Sequence, residues 1–216
     1  MEKNSNLKAI ENEVVVIGAG GHAKVVIEIL RASGYIVNYC VGGADAADHC
    51  IGVPVLKGDS WLNDLYSKGC SHAFVGIGSN QVRLKLANLV RNIGYELVNA
   101  VSPFAVVSPS AKIGVGVAVM AGAVINAEAE IGDLTIINTG ATIDHDCRIG
   151  QAVHIAPQSA LAGTVLVGEG AFLGIGCRIL PDISIGKWSV IGAGAVVIKN
   201  IPKNVTAVGI PAKALN

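Results

Sequence analysis

The sequence predicts an α/β N-terminal Rossmann-like domain over residues 13–100, followed by a parallel β-helix of hexapeptide repeats over residues 101–216 with a short C-terminal tail. Two patterns carry that reading. From Val101 to Val197 every sixth residue is Val, Ile or Leu, seventeen positions in succession without a slip. A helix repeats its apolar face at 3.6 residues and a strand at 2, so a strict period of six fits neither and fits a coil built from one hexapeptide per face. Ahead of the grid, the apolar run Val14–Ile17 leads into Gly18, Gly20 and Ala23, spaced G-x-G-x-x-A, and then into a helical stripe.

Residues 1–12 read as a loose polar tail of mixed charge, which is not a secretory signal. Val14–Ile17 is a buried strand by its unbroken apolar run. Ala23–Ala32 reads as a helix, with Val26, Ile29 and Leu30 forming its stripe and Gly34 ending it. Strands are expected at Tyr35–Val41 and Ala73–Gly76, a helix from Gln81 to Asn92, and a last strand near Glu96–Val101. In the grid, three hexapeptides make one coil, and coils stack at about 4.8 Å. The aliphatic points inward. The residue two places earlier is small, as at Ala123, Ala141 and Cys147, and suits a tight corner. The residue after the aliphatic is often Gly or Asn, as at Gly114, Asn126 and Gly132, so the left-handed turn is expected there. The unbroken register predicts no long protruding loop.

Composition narrows the function. The formal net charge is zero over 216 residues, which argues against an electrostatic nucleic-acid binder. Mean hydropathy is +0.55, yet no run of about 18 uncharged apolar residues exists, so no membrane span is expected and the β-helix interior accounts for the excess. Five cysteines without a CxxC pair argue against a disulfide framework or a zinc site. The chain reads as cytoplasmic.

Chemistry is expected where residues exceed what folding needs. The first glycine turn presents backbone N–H groups and a helix N-terminus to a phosphate. The GIGSN segment at Gly76–Asn80 is a second strand-end glycine turn, and two such turns make a crevice at the carboxyl edge of the sheet. The acid that a dinucleotide site places at the next strand end is missing: Gly42 and Gly43 stand there, with Asp45 beyond. On the β-helix the segment DHDCRIGQAVH carries Asp144, His145, Asp146 and His154 on coils otherwise rich in Gly and Ala. Histidine is the natural general base near neutrality, and an adjacent carboxylate raises its basicity and orients it. The alternatives are solvated turn residues, interface hydrogen bonders, or a metal site. The last is disfavoured because His145 and His154 are the only histidines on the grid, one short of a three-histidine site such as that of the β-helix carbonic anhydrases.

Over residues 13–216 the chain resembles the sugar acetyltransferases that join a nucleotide-sugar domain to a left-handed β-helix. The shared features, in order, are the glycine turn with His22, the G-x-G-x-N turn, the NTxxxIDHD segment, the later histidine, and the terminal GIPAK. The resemblance implies an acetyl-CoA-dependent N-acetyltransferase without a metal. Its substrate would be the 4-amino group of a UDP-linked amino-dideoxy sugar of the N-acetylbacillosamine type. Sialic acid O-acetyltransferases and GDP-perosamine N-acetyltransferases are related alternatives, and a non-catalytic nucleotide-sugar-binding trimer is a remote one. By resemblance His145 is the general base and Asp146 the acid that supports it, through a contact expected to be longer or water-mediated because relatives carry Glu. His154 contacts acetyl-CoA near the thioester, and Asn138 lies near the sugar amine. Gly163, Ile175 and Ala193 hold CoA by backbone, and Lys213 meets a phosphate. Gly20, Gly21, His22, Gly78 and Asn80 bind the nucleotide-sugar, with Asp45 a substitute for the missing strand-end acids. The family implies a homotrimer with sites at subunit interfaces.

Overall fold

The computed structural model describes residues 12–215, so all but the last residue of the tail expected over 1–12 lies outside the described residues. Two compact units follow one another, Met1–Ala100 and Val101–Asn216.

The first unit is a sheet with three helices. Strand β1 is Val14–Ile17, helix α1 Gly21–Ala32, β2 Cys40–Gly42, β3 His49–Cys50, β4 Val53–Lys57, α2 Trp61–Ser67, β5 His72–Val75, α3 Asn80–Ile93 and β6 Glu96–Leu97. The sheet order is β3-β4-β2-β1-β5-β6, parallel except for the β3–β4 hairpin. Four consecutive buried residues make β1 the centre, paired with β2 on one side and β5 on the other. The order reverses beside β1, which is where α/β sheets open a crevice at their carboxyl ends. Helix α1 begins two residues earlier than its apolar stripe suggests, because Gly21 and His22 belong to its first turn. Of the strand expected at Tyr35–Val41 only Cys40 and Val41 are ladder-paired, in a strand that runs on to Gly42, and the last strand is split into Glu96–Leu97 and Ala100–Val101. The β3–β4 hairpin and α2 had no clear pattern in the sequence: β3 has two residues and α2 seven.

The second unit is the β-helix. Two-residue strands recur every six residues and stack with those 18 residues away, for example Ile136 on His154 and Thr142 on Ala160. The first face carries strands such as Ala118–Val119, Ile136–Ile137, His154–Ile155 and Phe172–Leu173; it ends in Thr206–Val208 with the antiparallel Lys213–Ala214. The second carries Val124–Ile125, Thr142–Ile143, Ala160–Leu161 and Arg178–Ile179, and the third Lys112–Ile113, Glu130–Ile131, Arg148–Ile149 and Leu166–Val167. Every grid aliphatic from Val119 to Val197 is buried, while Val101, Val107 and Ile113 at the start are half-buried. Each such burial is worth about 1.5–3 kcal/mol, enough to hold a coil that has only two-residue strands.

Two sequence expectations are corrected here. Left-handed backbone falls three places after the grid aliphatic, at residues such as Glu128, Leu134, Asp146, Thr164 and Trp188, and not one place after it. The glycines one place after it serve close stacking instead: a Cβ on Gly132 would lie 2.7 Å from Gln151 N, and one on Gly150 2.7 Å from Glu169 N. The small residues two places before the aliphatic face the interior and not the bend. Where they are polar they donate inward, as Thr135 Oγ1 does to Gly150 O at 2.9 Å and Ser159 Oγ to Gly174 O at 2.9 Å. No described helix is long and apolar enough to cross a membrane.

Candidate active site

On the β-helix the centre is the corner after Thr142–Ile143, where the second face turns into the third. Asp146 occupies the left-handed position of that corner, at φ 58°. This sets its carboxylate beside the preceding residue: His145 Nδ1 lies 2.7 Å from Asp146 Oδ2. The contact is direct, so the longer or water-mediated one expected from the shorter side chain is corrected. The corner backbone, not side-chain length, delivers the carboxylate. With Nδ1–H donated to Asp146, Nε2 keeps its lone pair for a proton. The hydrogen bond to Asp146, with the charges of Asp144 and Asp146, raises the His145 pKa above its ordinary value against a smaller desolvation. Both side chains are more than half exposed, at 57 % and 56 %, so the base opens to one side of a single chain.

Three neighbours hold this corner. Asp144 Oδ1 accepts the His145 backbone N–H at 2.8 Å and the Asn126 Nδ2–H at 3.0 Å, tying the corner to the coil below. One coil above, Gly163 lies under the imidazole: a Cβ there would come within 2.6 Å of His145 Cε1 and 2.7 Å of Nε2. Thr164 N–H donates to His145 O at 3.0 Å. The roles of Asn126 and Asp144 were hidden because their pairing spans 18 residues, a relation visible only once coils stack. Cys147, next in sequence, is fully buried, donates to Ala162 O and has its thiol pKa pushed up by burial, so it offers no nucleophile here.

His154 sits elsewhere. It lies on the first face, across the coil from the corner of His145, so one chain does not bring the two histidines together. Its Nε2 is 3.1 Å from Asn138 Nδ2, and its ring meets Phe172 edge-on at 5.1 Å. Asn138 Oδ1 accepts the Thr139 N–H at 2.8 Å, which turns the amide NH₂ toward His154. His154 Nε2 therefore accepts, and the neutral ring carries its proton on Nδ1. Ile175 and Ala193 occupy the corner between the first and second faces one coil apart, with Gly194 N–H donating to Ile175 O at 2.8 Å. Ile175 is 57 % exposed. Lys213 is exposed on the terminal antiparallel strand. Among the described residues no group of three or more His, Cys, Asp or Glu could hold a metal ion.

The N-terminal unit has its own crevice of about 440 Å³ at the carboxyl ends of β1, β2 and β5. Gly20, Gly21, His22, Gly78 and Asp45 line it together, joined by Asp59 on the loop after β4, which the sequence reading missed. Gly18 is needed by the chain itself: at φ 117° its Cβ would lie 2.8 Å from Gly76 O. Gly20, Gly21 and Gly78 have no protein atom within 4 Å of the missing Cβ, so the space above them is open. The strand-end acid is excluded by packing, since a Cβ on Gly42 would strike Ala46 Cβ at 2.8 Å, and Asp45 folds back so that its Oδ1 is 3.0 Å from the Cβ position of Gly43. Asn80 is buried and does not line the crevice; its Oδ1 accepts from Arg83 at 2.8 Å.

Comparison with known proteins bears on the family and the fold. The PglD N-terminal domain family matches residues 13–90, and the bacterial transferase hexapeptide family (six repeats) matches residues 164–199. The chain is 54 % identical to PerB from Caulobacter crescentus, solved with CoA and GDP-perosamine, over 94 % of this chain and 97 % of that one, with a TM-score of 0.92. It is 38 % identical to the acetyltransferase domain of PglB from Neisseria gonorrhoeae in complex with acetyl coenzyme A, over 94 % and 99 %, TM-score 0.88. It is 28 % identical to WeeI from Acinetobacter baumannii, over 94 % and 99 %, TM-score 0.86. Among curated proteins it matches an uncharacterized protein of Acanthamoeba polyphaga mimivirus, 32 % identical over 111 residues, of whose length it spans about a fifth (22 %).

Proposed function

The chain belongs to the family of sugar N-acetyltransferases that join a PglD-type N-terminal domain to a left-handed β-helix, and from that premise we propose that it acetylates the 4-amino group of a nucleotide-linked amino-dideoxy sugar. It is an acyltransferase that uses acetyl-CoA. The observation that carries the reading is the His145–Asp146 pair, 2.7 Å apart on an open corner with a bare glycine beneath the imidazole.

The step follows from the donor and acceptor placement. His145 Nε2 takes a proton from the attacking amine while Asp146 steadies the imidazolium. The amine nitrogen bonds to the thioester carbon, the C–S bond breaks, and CoA leaves as the thiolate. A backbone N–H on the adjacent coil is suited to the oxyanion, with His154 beside the thioester. No covalent acyl-enzyme is required. Because His145 and His154 lie on different sides of one chain, a complete site draws them from two chains. The outward residues support a homotrimer: Phe172 and Val190 on the first face and Val106, Val124 and Ala160 on the second are apolar and at least partly exposed, while the third shows Lys112, Glu130 and Arg148. CoA would run along the cleft past Gly163, Ile175 and Ala193 toward Lys213. The crevice around Gly20, Gly21, His22 and Gly78 would take the nucleotide. The reaction is placed in the cytoplasm, where acetyl-CoA is available.

The high identity to PerB favours a GDP-perosamine-type substrate. The PglD-type domain and the PglB relative keep a UDP-linked bacillosamine-type sugar as a second reading. Thiol release from acetyl-CoA, followed with GDP-perosamine, UDP-4-amino-4,6-dideoxy-N-acetylglucosamine and sialic acid, separates them. Release with one nucleotide amino sugar assigns the substrate; release with sialic acid alone replaces amine by hydroxyl; release with none of the three overturns the reading.

A further inference from the structure

Beneath the second glycine turn of the N-terminal unit lies a side chain that none of the preceding chemistry uses. Arg83 stands in the first turn of α3 and is only 1 % exposed, an unusual place for a guanidinium. Burial alone lowers its pKa to about 10, so it stays charged at neutral pH. Three of its hydrogen bonds go to one short segment. Nη1 donates to Ile77 O and to Gly78 O, each at 3.0 Å, and Nη2 donates to Asn80 Oδ1 at 2.8 Å. Ile77 and Gly78 line the crevice; Arg83 does not.

A trans peptide carries its C=O and its N–H on opposite sides. Drawing the Gly78 carbonyl down onto Arg83 therefore turns the following N–H, that of Ser79 at the start of α3, the other way. Ser79 is also the N-cap of α3, with no side-chain cap bond, and the first turn of that helix holds no acid. A buried cation below and a helix N-terminus beside the turn both favour a negative group on the crevice side. We propose that Arg83 is a positioning residue for the nucleotide-sugar: it locks the 76–80 turn in the form that presents peptide N–H groups to the ligand, and it adds positive potential under the diphosphate. This inference rests on the reading of the crevice as the nucleotide site.

The three bonds need the planar fork, which a lysine ammonium cannot reproduce. In steady-state assays of the full chain, Arg83→Met is expected to raise KM for the nucleotide-sugar by about 10–100-fold, the range that lost charge-assisted hydrogen bonds give. KM for acetyl-CoA should stay at the wild-type value and kcat within about threefold, because the acetyl-transfer corner lies on the other unit. Arg83→Lys is expected to fall between, and guanidinium ion added at millimolar concentration to Arg83→Ala should lower the raised KM. A merely structural arginine would lower apparent kcat and thermal stability, with both KM values unchanged or raised alike, and would show no such split or rescue; that outcome overturns the proposal, as does an unchanged nucleotide-sugar KM in Arg83→Met. Should the Met variant fail to fold, Arg83→Lys decides by the same split. Calorimetric titration of the wild type with GDP and with UDP separates the two levels. Wild-type protein that binds neither overturns the crevice reading and this role with it. Wild type and Arg83→Met binding alike overturns the role of Arg83 alone.

Discussion

In the β-helix the candidate site shows as side chains that the repeat does not need; in the N-terminal unit it shows as side chains that are missing. The hexapeptide sets a background in which each position has a required type. His145, Asp146 and His154 stand out because neither stacking nor burial asks for them. The Rossmann-like unit has no such background. There the informative residues are Gly20, Gly21 and Gly78, whose absent Cβ atoms would touch no protein atom, against Gly18 and Gly42, whose absent Cβ atoms would collide. One unit offers chemistry on side chains and the other offers backbone and empty space. A base must have a particular pKa and reach, whereas a phosphate is held as well by peptide N–H groups.

The largest effects should come from breaking the first half of that contrast. His145→Ala is expected to lower kcat by about 10²–10⁴-fold, the usual worth of a positioned general base, with little change in melting temperature because the side chain is exposed. Near-normal turnover would move the base to another group. Gly163→Ala tests the same base without touching it. The added methyl would sit 2.7 Å from His145 Nε2, so the ring must rotate away, and a displacement of this size costs up to about 10²-fold in rate. Acetyl-CoA affinity should hold, since a backbone contact survives the substitution. A fully active Gly163→Ala enzyme would show that the imidazole works from a different rotamer.

Asp146→Asn should have a smaller effect with a definite sign. Asparagine tolerates the left-handed corner at φ 58°, so the turn is kept. The His145 pKa is raised chiefly by its bond to Asp146, and the base acts in its neutral form. Removing the carboxylate lowers that pKa, so the acid limb of kcat/KM moves to lower pH while the plateau falls by about 3–10-fold with the weaker base. The same raised pKa stabilises the folded chain at pH below the unfolded value and is lost as pH rises through the folded one. A limb that stays in place would reduce Asp146 to a corner residue.

The legibility of the chain follows the same divide. The inward register was readable residue by residue because a slip of one would turn every aliphatic to solvent. The site on the coil was readable at His145 and Asp146, which are adjacent. It was unreadable in the bond from Asn126 to Asp144 and in the approach of Gly163 to the His145 ring, both of which run between coils 18 residues apart. The reason for the glycines after each aliphatic was misread for the same cause: stacking, not φ, demands them. In the N-terminal unit β1, α1, β5 and α3 were clear from apolar runs and stripes. The hairpin of β3 and β4 was not, since two-residue pairing leaves no periodicity. Arg83 gave no signal at all, because an arginine in a helical pattern is ordinarily solvated.

Gly21→Ala sharpens the second half of the contrast and should have the smallest effect. The residue begins α1 with ordinary helical backbone, and nothing lies within 4 Å of its missing Cβ. For the protein alone, alanine is the better choice: replacing glycine in a helix stabilises by about 0.5–1 kcal/mol, less at a first turn. Glycine here therefore has no folding reason, and the open space above it belongs to something the chain receives. Gly21→Ala is expected to melt at or slightly above the wild-type temperature while its KM for the nucleotide-sugar rises severalfold, to about 3–10 times. Gly18→Ala should do the reverse and lose stability first, because its left-handed backbone and its 2.8 Å approach to Gly76 O both forbid the methyl. A Gly21→Ala enzyme with unchanged KM would mean that the ligand does not come down onto the start of α1, and would leave the 76–80 turn over Arg83 as the part of the crevice that grips it.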